Sequence, residues 1–276
     1  MEVIIMTRTI TALGPRQAEF LATMAGAGRD VFKIDEAVGF WDSPQYARNE
    51  LAQLETKGWL ERLERGRYLI VPLEAGPDRE WSEDSLAIGT FLAPNGGAAY
   101  WTAIRHWGWT TQLPRTQFFI TPNRRFKQQT IILGVPYRFV TLKSNRIFGL
   151  TEEWRGGLRI RITDPERTIV DALDRTDLAG GIAEITPAMT TAWKVLDLEL
   201  LTDYMKRFGS GTVPKRLGFL AEHLGLPVSD DWLSCWREMI GSGITQLERG
   251  GAKTGRMIRR WSLQINVADL GYLEKR

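Results

Sequence analysis

Along the N-terminal part of the chain the apolar positions follow first a helical and then a strand-like spacing. Gly14-Pro15 opens a first predicted helix, with proline at the first helical position, and Leu21, Met24 and Ala25 mark its apolar side. Lys33 to Phe40 reads as a short second helix with Ile34, Ala37 and Val38 inward, and Gly39 to Asp42 as a turn. Ser43 is a good N-cap and Pro44 a good first residue for a third helix, on which Ala47, Leu51 and Leu54 repeat at helical spacing and face the first two. Gly58 ends it. Leu60 to Leu63 and Tyr68 to Val71 then read as two short strands around the tip Glu64-Arg65-Gly66-Arg67.

The opposite side of the third helix carries Gln45, Arg48, Asn49, Ala52, Gln53 and Thr56, and no acid. Arginine pairs with guanine, and asparagine or glutamine with adenine, so this row is suited to base edges. Ser43 and Tyr46 at the helix start complete the set, and Arg65 and Arg67 at the tip would lie over the neighbouring phosphates. Residues 1–75 are accordingly expected to be a winged helix-turn-helix that binds double-stranded DNA. The same residues carry nine basic and eleven acidic side chains, and winged helices also serve as protein-interaction modules, which is the alternative.

Glu74 to Asp78 is a polar, proline-containing break, after which residues 76–276 read as a larger mixed α+β domain. The acidic run Glu80 to Asp84 opens a helix ending near Leu92, and Ala93 to Gly97 is a turn. Thr116–Thr121, Thr130–Leu133, Tyr137–Leu142 and Leu158–Ile162 alternate as strands. The rest is mostly helical to Arg237, and Arg260–Val267 returns as a final strand of the same sheet. Tyr100, Trp101, Trp107, Trp109, Phe118 and Phe119 are expected in the core rather than stacked on unpaired bases. Asn123 to Lys127 reads as an exposed loop in which Arg124, Arg125 and Lys127 are candidates for additional phosphate contacts. Asp164, Pro165 and Glu166 signal a helix start; with Asp171 the same carboxylates would make the metal site of a nuclease, a rival that helix capping renders unnecessary. His223, near a helix end, is given no catalytic role.

Composition narrows the chemistry. A chain of 276 residues favours two domains, and 43% hydrophobic with 10% aromatic residues suffices for a core. Cys235 is the single cysteine, so neither an internal disulfide nor a cysteine zinc site can form, and His106 and His223 belong to no HExxH pattern. No metal, cofactor or enzymatic activity is expected. The apolar run Val3 to Met6 is too short for a signal peptide or a membrane span, so a cytoplasmic protein without a membrane partner is expected. Net charge is only +3, but Arg105 to Arg161 holds eleven basic residues against two acids, whereas residues 162–245 hold eight against thirteen. That segregation suits either a basic surface for a polyanion or a solvated face answered by acids on folding.

Four second-domain segments form a familiar order: Ala99 to Gly108, an aromatic helix ending in a small residue; Asp164 to Asp171, a helix start of Asp-Pro-Glu-Arg type; Lys215 to Glu222, with its Arg-Leu-Gly; and Arg260 to Asn266, a terminal Arg-Trp strand. Behind a winged helix, this series resembles the AbiEi family, antitoxins and transcriptional repressors of bacterial AbiE abortive-infection toxin–antitoxin systems. The resemblance implies binding to inverted repeats upstream of its own operon. It also implies that the larger domain counteracts a nucleotidyltransferase-like, AbiEii-type toxin encoded alongside, without the need for a stable complex. Lys215 stands where that family more usually has arginine.

Overall fold

The computed structural model describes residues 12–72, 84–125, 127–155 and 158–267. The apolar run Val3 to Met6, the break Glu74 to Asp78 and most of the acidic run before Asp84 lie outside them. The chain divides into two compact units, Met1–Asp84 with Arg155–Leu158, and Ser85–Trp154 with Arg159–Arg276. The architecture is mixed α+β. Among the described residues no helix is long and apolar enough to cross a membrane.

In the first unit Pro15, which has no amide hydrogen to leave unpaired, starts α1 (Pro15–Gly26), and Gln17 Oε1 accepts the Gly14 amide at 3.2 Å. Then follow β1 (Val31–Lys33), α2 (Ile34–Val38), α3 (Pro44–Thr56), β2 (Leu60–Glu64) and β3 (Arg67–Ile70). The strands form an antiparallel sheet in the order β1-β3-β2. Phe20, Phe32, Ala37, Leu51, Leu54 and Leu60 are fully buried between the helices and this sheet, with Phe20 edge-on to Phe32 at 5.5 Å. Two expectations need correction. Ala25 faces outward, because the buried stripe of α1 runs through Gln17, Phe20, Leu21 and Met24, the i, i+3, i+4, i+7 row. Residue 33 closes a strand instead of opening a helix: β1 is three residues long, too short for alternation to register in the sequence, and only pairing with β3 defines it.

The second unit contains α4 (Ser85–Leu92), β4 (Gly97–Ala98), α5 (Tyr100–His106), β5 (Gln117–Thr121), β6 (Gln129–Ile132), β7 (Val135–Thr141), β8 (Leu150–Arg155) and β9 (Leu158–Thr163). They build a six-stranded sheet in the order β6-β7-β5-β4-β9-β8, with β5 parallel to β7 and β4 parallel to β9. Gly89 lets α4 lie against that sheet, since a Cβ there would stand 2.0 Å from the Phe119 ring. Gly97, expected at a turn, instead starts β4 and pairs with Ile120, and Ala98 after it pairs with Phe119 on one side and Ile162 on the other; β8 has no counterpart among the expected strands, because its Thr151, Glu152 and Glu153 give no apolar alternation.

The helices α6 (Pro165–Asp174), α7 (Ile182–Ala192), α8 (Leu198–Phe208), α9 (Val213–His223) and α10 (Asp230–Glu238) enclose a second core through Leu173, Met189, Leu201, Leu217 and Trp236. The expected aromatics behave as core: Tyr100, Trp109, Phe118 and Phe119 are buried, Trp101 and Trp107 half-buried. The last segment departs from expectation. β12 (Leu263–Ile265) joins β10 (Thr245–Gln246) and β11 (Arg256–Ile258) in a separate small sheet, not the large one. Arg259–Trp261 forms a 3-10 turn instead of strand, because the Trp261 ring leaves the strand path to enter the helical core.

Gly218 on α9 receives that ring, and a Cβ there would come within 2.1 Å of it. Gly218→Ala should therefore destabilise the protein by about 1–3 kcal/mol in denaturant unfolding. Most of that cost should vanish in a Trp261→Leu background; equal costs in both backgrounds would place the strain elsewhere.

Candidate nucleic-acid interface

Helix α3 is positioned by its two opposed faces. Ser43 Oγ accepts the Tyr46 amide at 3.1 Å and caps the helix, with Pro44 at its first position. Ala47, Leu51 and Leu54 are fully buried. Glu50 is buried with them and accepts Gln17 Nε2 of α1 at 2.7 Å, so the only acid within the middle turns of the helix points inward. Gln17 also accepts Lys57 Nζ at 2.8 Å through Oε1 and donates to Gln53 Oε1 at 3.3 Å. One buried amide thus ties both ends of the last two turns of α3 to α1. Spacing alone does not reveal this link, because Gln17 and Glu50 sit at apolar-stripe positions without being apolar.

The outer face of α3 carries Gln45, Arg48, Asn49, Ala52, Gln53 and Thr56, all exposed, and Tyr46 is 42% exposed. Gln45 Nε2 donates to Asn49 Oδ1 at 3.2 Å, and Arg48 Nη1 lies 3.5 Å from Gln45 Oε1. The structure therefore brings Gln45, Arg48 and Asn49 into one neutral-and-cationic group with amide and guanidinium donors, and among the described residues no carboxylate bonds to it. At the hairpin, Gly66 takes φ +73°, the left-handed turn position glycine favours, and a register shift between Arg62 and Glu64 bends β2. Arg65 is exposed at the tip. Arg67 is not equivalent to it: its Nη1 lies 2.9 Å from Glu64 Oε1 and its side chain is largely covered. Arg62, exposed on β2, was not among the candidates; an outward arginine in an alternating strand was the available signal.

The second unit separates its candidates in the same way. Arg124 and Lys127 are exposed, but Arg125 donates to the Leu92 carbonyl at 2.6 Å and lies over the Phe139 ring at 4.0 Å, so it packs the sheet instead of awaiting a phosphate. The carboxylates of the rival metal site are each engaged. Asp164 caps α6, accepting the Arg167 amide at 2.8 Å and the Tyr204 hydroxyl at 2.8 Å. Glu166 accepts the Asp197 amide at 2.8 Å, and Asp171 pairs with Arg167 where both are fully buried. Burial raises the Asp171 carboxyl above its ordinary range while Arg167 draws it back. Among the described residues no three His, Cys, Asp or Glu side chains gather where a metal could be held. His223 stacks on Phe219 at 5.4 Å.

No family model matches the chain, and no curated protein matches it. Its fold is similar to the crystal structure of the Rv2827c protein from Mycobacterium tuberculosis, with a TM-score of 0.60 over 93% of each chain and 13% identity. At that identity the likeness is one of fold.

Two outcomes follow from this geometry. Ser43→Ala should cost about 1 kcal/mol of stability through loss of the α3 cap, read by thermal unfolding. Burial, and then the bond to Asp164, push the Tyr204 phenol up to about 12. A raised folded-state value means that the contribution is intact below pH 10, the ordinary tyrosine value, and is lost as pH rises through about 12. Tyr204→Phe should lower stability at neutral pH and flatten the alkaline decline across that window; an unchanged slope would show that Tyr204 does not titrate as assigned.

Proposed function

We propose that the first unit is a winged helix-turn-helix and that the protein is a DNA-binding transcriptional repressor. Helix α3 would enter the major groove, and the β2–β3 hairpin would act as the wing. The observation that carries the reading is the outer row of α3: Gln45, Arg48, Asn49 and Gln53 stand exposed while Glu50 is turned into the core. Removing the carboxylate from that face removes a repulsion of about the size of a lost contact with the phosphate backbone. The order of elements around the antiparallel β1-β3-β2 sheet supports the same reading. Base contacts are assigned to Gln45, Arg48, Asn49 and Gln53, phosphate contacts to Ser43, Tyr46 and Arg65, and a lesser one to the ion-paired Arg67.

The wider reading is that the protein serves as the antitoxin of an AbiE-type system, repressing its own operon and counteracting a nucleotidyltransferase-like toxin encoded alongside. It is supported by the four ordered segments, and no catalytic residue is assigned. A cytoplasmic setting follows from this role.

In fluorescence-anisotropy titrations with the DNA upstream of its own gene, Arg48→Ala should cost about 1–3 kcal/mol and relax discrimination against random DNA. Equal weakening on both would mean that Arg48 reads no base. Arg65→Ala should weaken all sequences alike and reduce the slope of log K against log salt by about one, while Arg67→Ala, already paired with Glu64, should change it less. Absence of any salt-sensitive binding to duplex DNA would favour the protein-interaction module.

A further inference from the structure

In the second unit β6 is an outer strand of the large sheet and, among the described residues, pairs only with β7. The two strands are joined by Leu133-Gly134, at φ +49° and +74°, the tight two-residue loop of a twisted hairpin. Ile132 and Val135 flank that loop as its first hydrogen-bonded pair, and the Phe139 amide bonds to the Gln128 carbonyl at 2.8 Å. Residues 128, 130 and 132 therefore face β7 with their backbone groups, and Gln129 and Ile131 turn their N–H and C=O outward. Soluble proteins usually protect such an edge with a charge, a proline or a bulge. Here the outward residue is an isoleucine that is 72% exposed, with Leu133 42% exposed beside it. Next to it, Phe118, Thr130, Ile131, Pro136 and Arg138 line a recess of about 390 Å³ on the sheet.

The surroundings select the occupant. From Ser85 to Thr151 the chain contains no aspartate or glutamate. Arg115 precedes β5, Arg124 and Lys127 precede β6, and all three are exposed; Arg138 sits opposite Gln129 in the register. A second copy of this edge would bring two positive surfaces together. A nucleic acid would answer the charge but would leave the outward amides of Gln129 and Ile131 and the apolar recess unused. We propose that the β6 edge takes an extended acidic peptide segment of a partner protein, added as a seventh strand. Its backbone would bond to Gln129 and Ile131, its alternate apolar side chains would cover Ile131 and the recess, and its carboxylates would meet Lys127 and Arg124. This site is independent of the DNA reading of the first unit.

The full-length protein can be titrated against a fluorescein-labelled peptide of alternating valine and glutamate, with the valine–lysine peptide as control. Saturable binding of the acidic peptide alone is expected. Ile131→Pro removes only an outward-facing N–H, so the sheet keeps its ladder, and binding should fall by at least about tenfold. Ile131→Glu, on an exposed position, should do the same by repulsion, and Lys127→Glu should weaken binding and its salt dependence. DNA binding should be unchanged in both Ile131 variants. No binding of the acidic peptide, or equal binding by wild type and both Ile131 variants, would overturn the proposal. A single-stranded oligonucleotide that binds the wild type, is weakened by Lys127→Glu and ignores Ile131→Pro would overturn it in favour of nucleic acid.

Discussion

Helix α6 lies almost wholly inside its unit, and a helix in that position leaves backbone groups at both ends that water cannot reach. The rest of the second unit is arranged around satisfying them. At the start Asp164 takes the Arg167 amide. At the end Arg216 of α9 donates to the carbonyls of Leu173 at 2.5 Å and Asp174 at 3.2 Å, and also to Gln246 of β10. Burial lowers that guanidinium to about 10, still charged at neutral pH. Glu166 reaches across to the amide before α8, and Arg167 packs between the Phe148 and Phe208 rings at 4.4 and 4.8 Å. Removing one member would strand a buried polar group at a cost of about 1–3 kcal/mol, more where it is charged.

This explains what the ordered motifs encode. Asp-Pro-Glu-Arg is the capping and clamping of α6. Lys215 donates to the Gly243 carbonyl at 2.6 Å, Arg216 closes α6, and Gly218 admits Trp261, whose indole N–H is taken by Glu222 at 2.7 Å. These side chains are spent on packing, and the positions that carry the resemblance are the ones that hold the architecture together. Function has to be read from surfaces, where the two units differ. The first presents polar side chains on a helix, and the second an open strand edge in an acid-free stretch.

Availability for function is decided by what each charge already touches. Arg65 and Arg67 are two residues apart in one hairpin, yet only Arg67 is ion-paired to Glu64. Arg124 and Arg125 are adjacent, yet Arg125 is held by a carbonyl and an aromatic ring. Of the basic excess between Arg105 and Arg161, Arg159 and Arg161 both lie against Glu152, so part of it is neutralised within the sheet.

The chain alone specifies the helices with strong caps and regular stripes. Ser43-Pro44 and Asp164-Pro165 place their helix starts to the residue, and Ala47, Leu51 and Leu54 fix which side of α3 is buried. Local hydrogen bonding and 3.6-residue spacing suffice for that. It also specifies β5, β6, β7 and β9, whose alternation is read within a single segment. β1, β4 and β8, the separation of β12 into its own sheet, and the pairing of Gln17 with Glu50 emerge only on folding. β1, β4 and the Gln17–Glu50 bond depend on partners more than twenty residues away, whereas β8 and β12 pair with neighbouring segments; all of them, short or polar, acquire their conformation from those partners rather than from their own pattern.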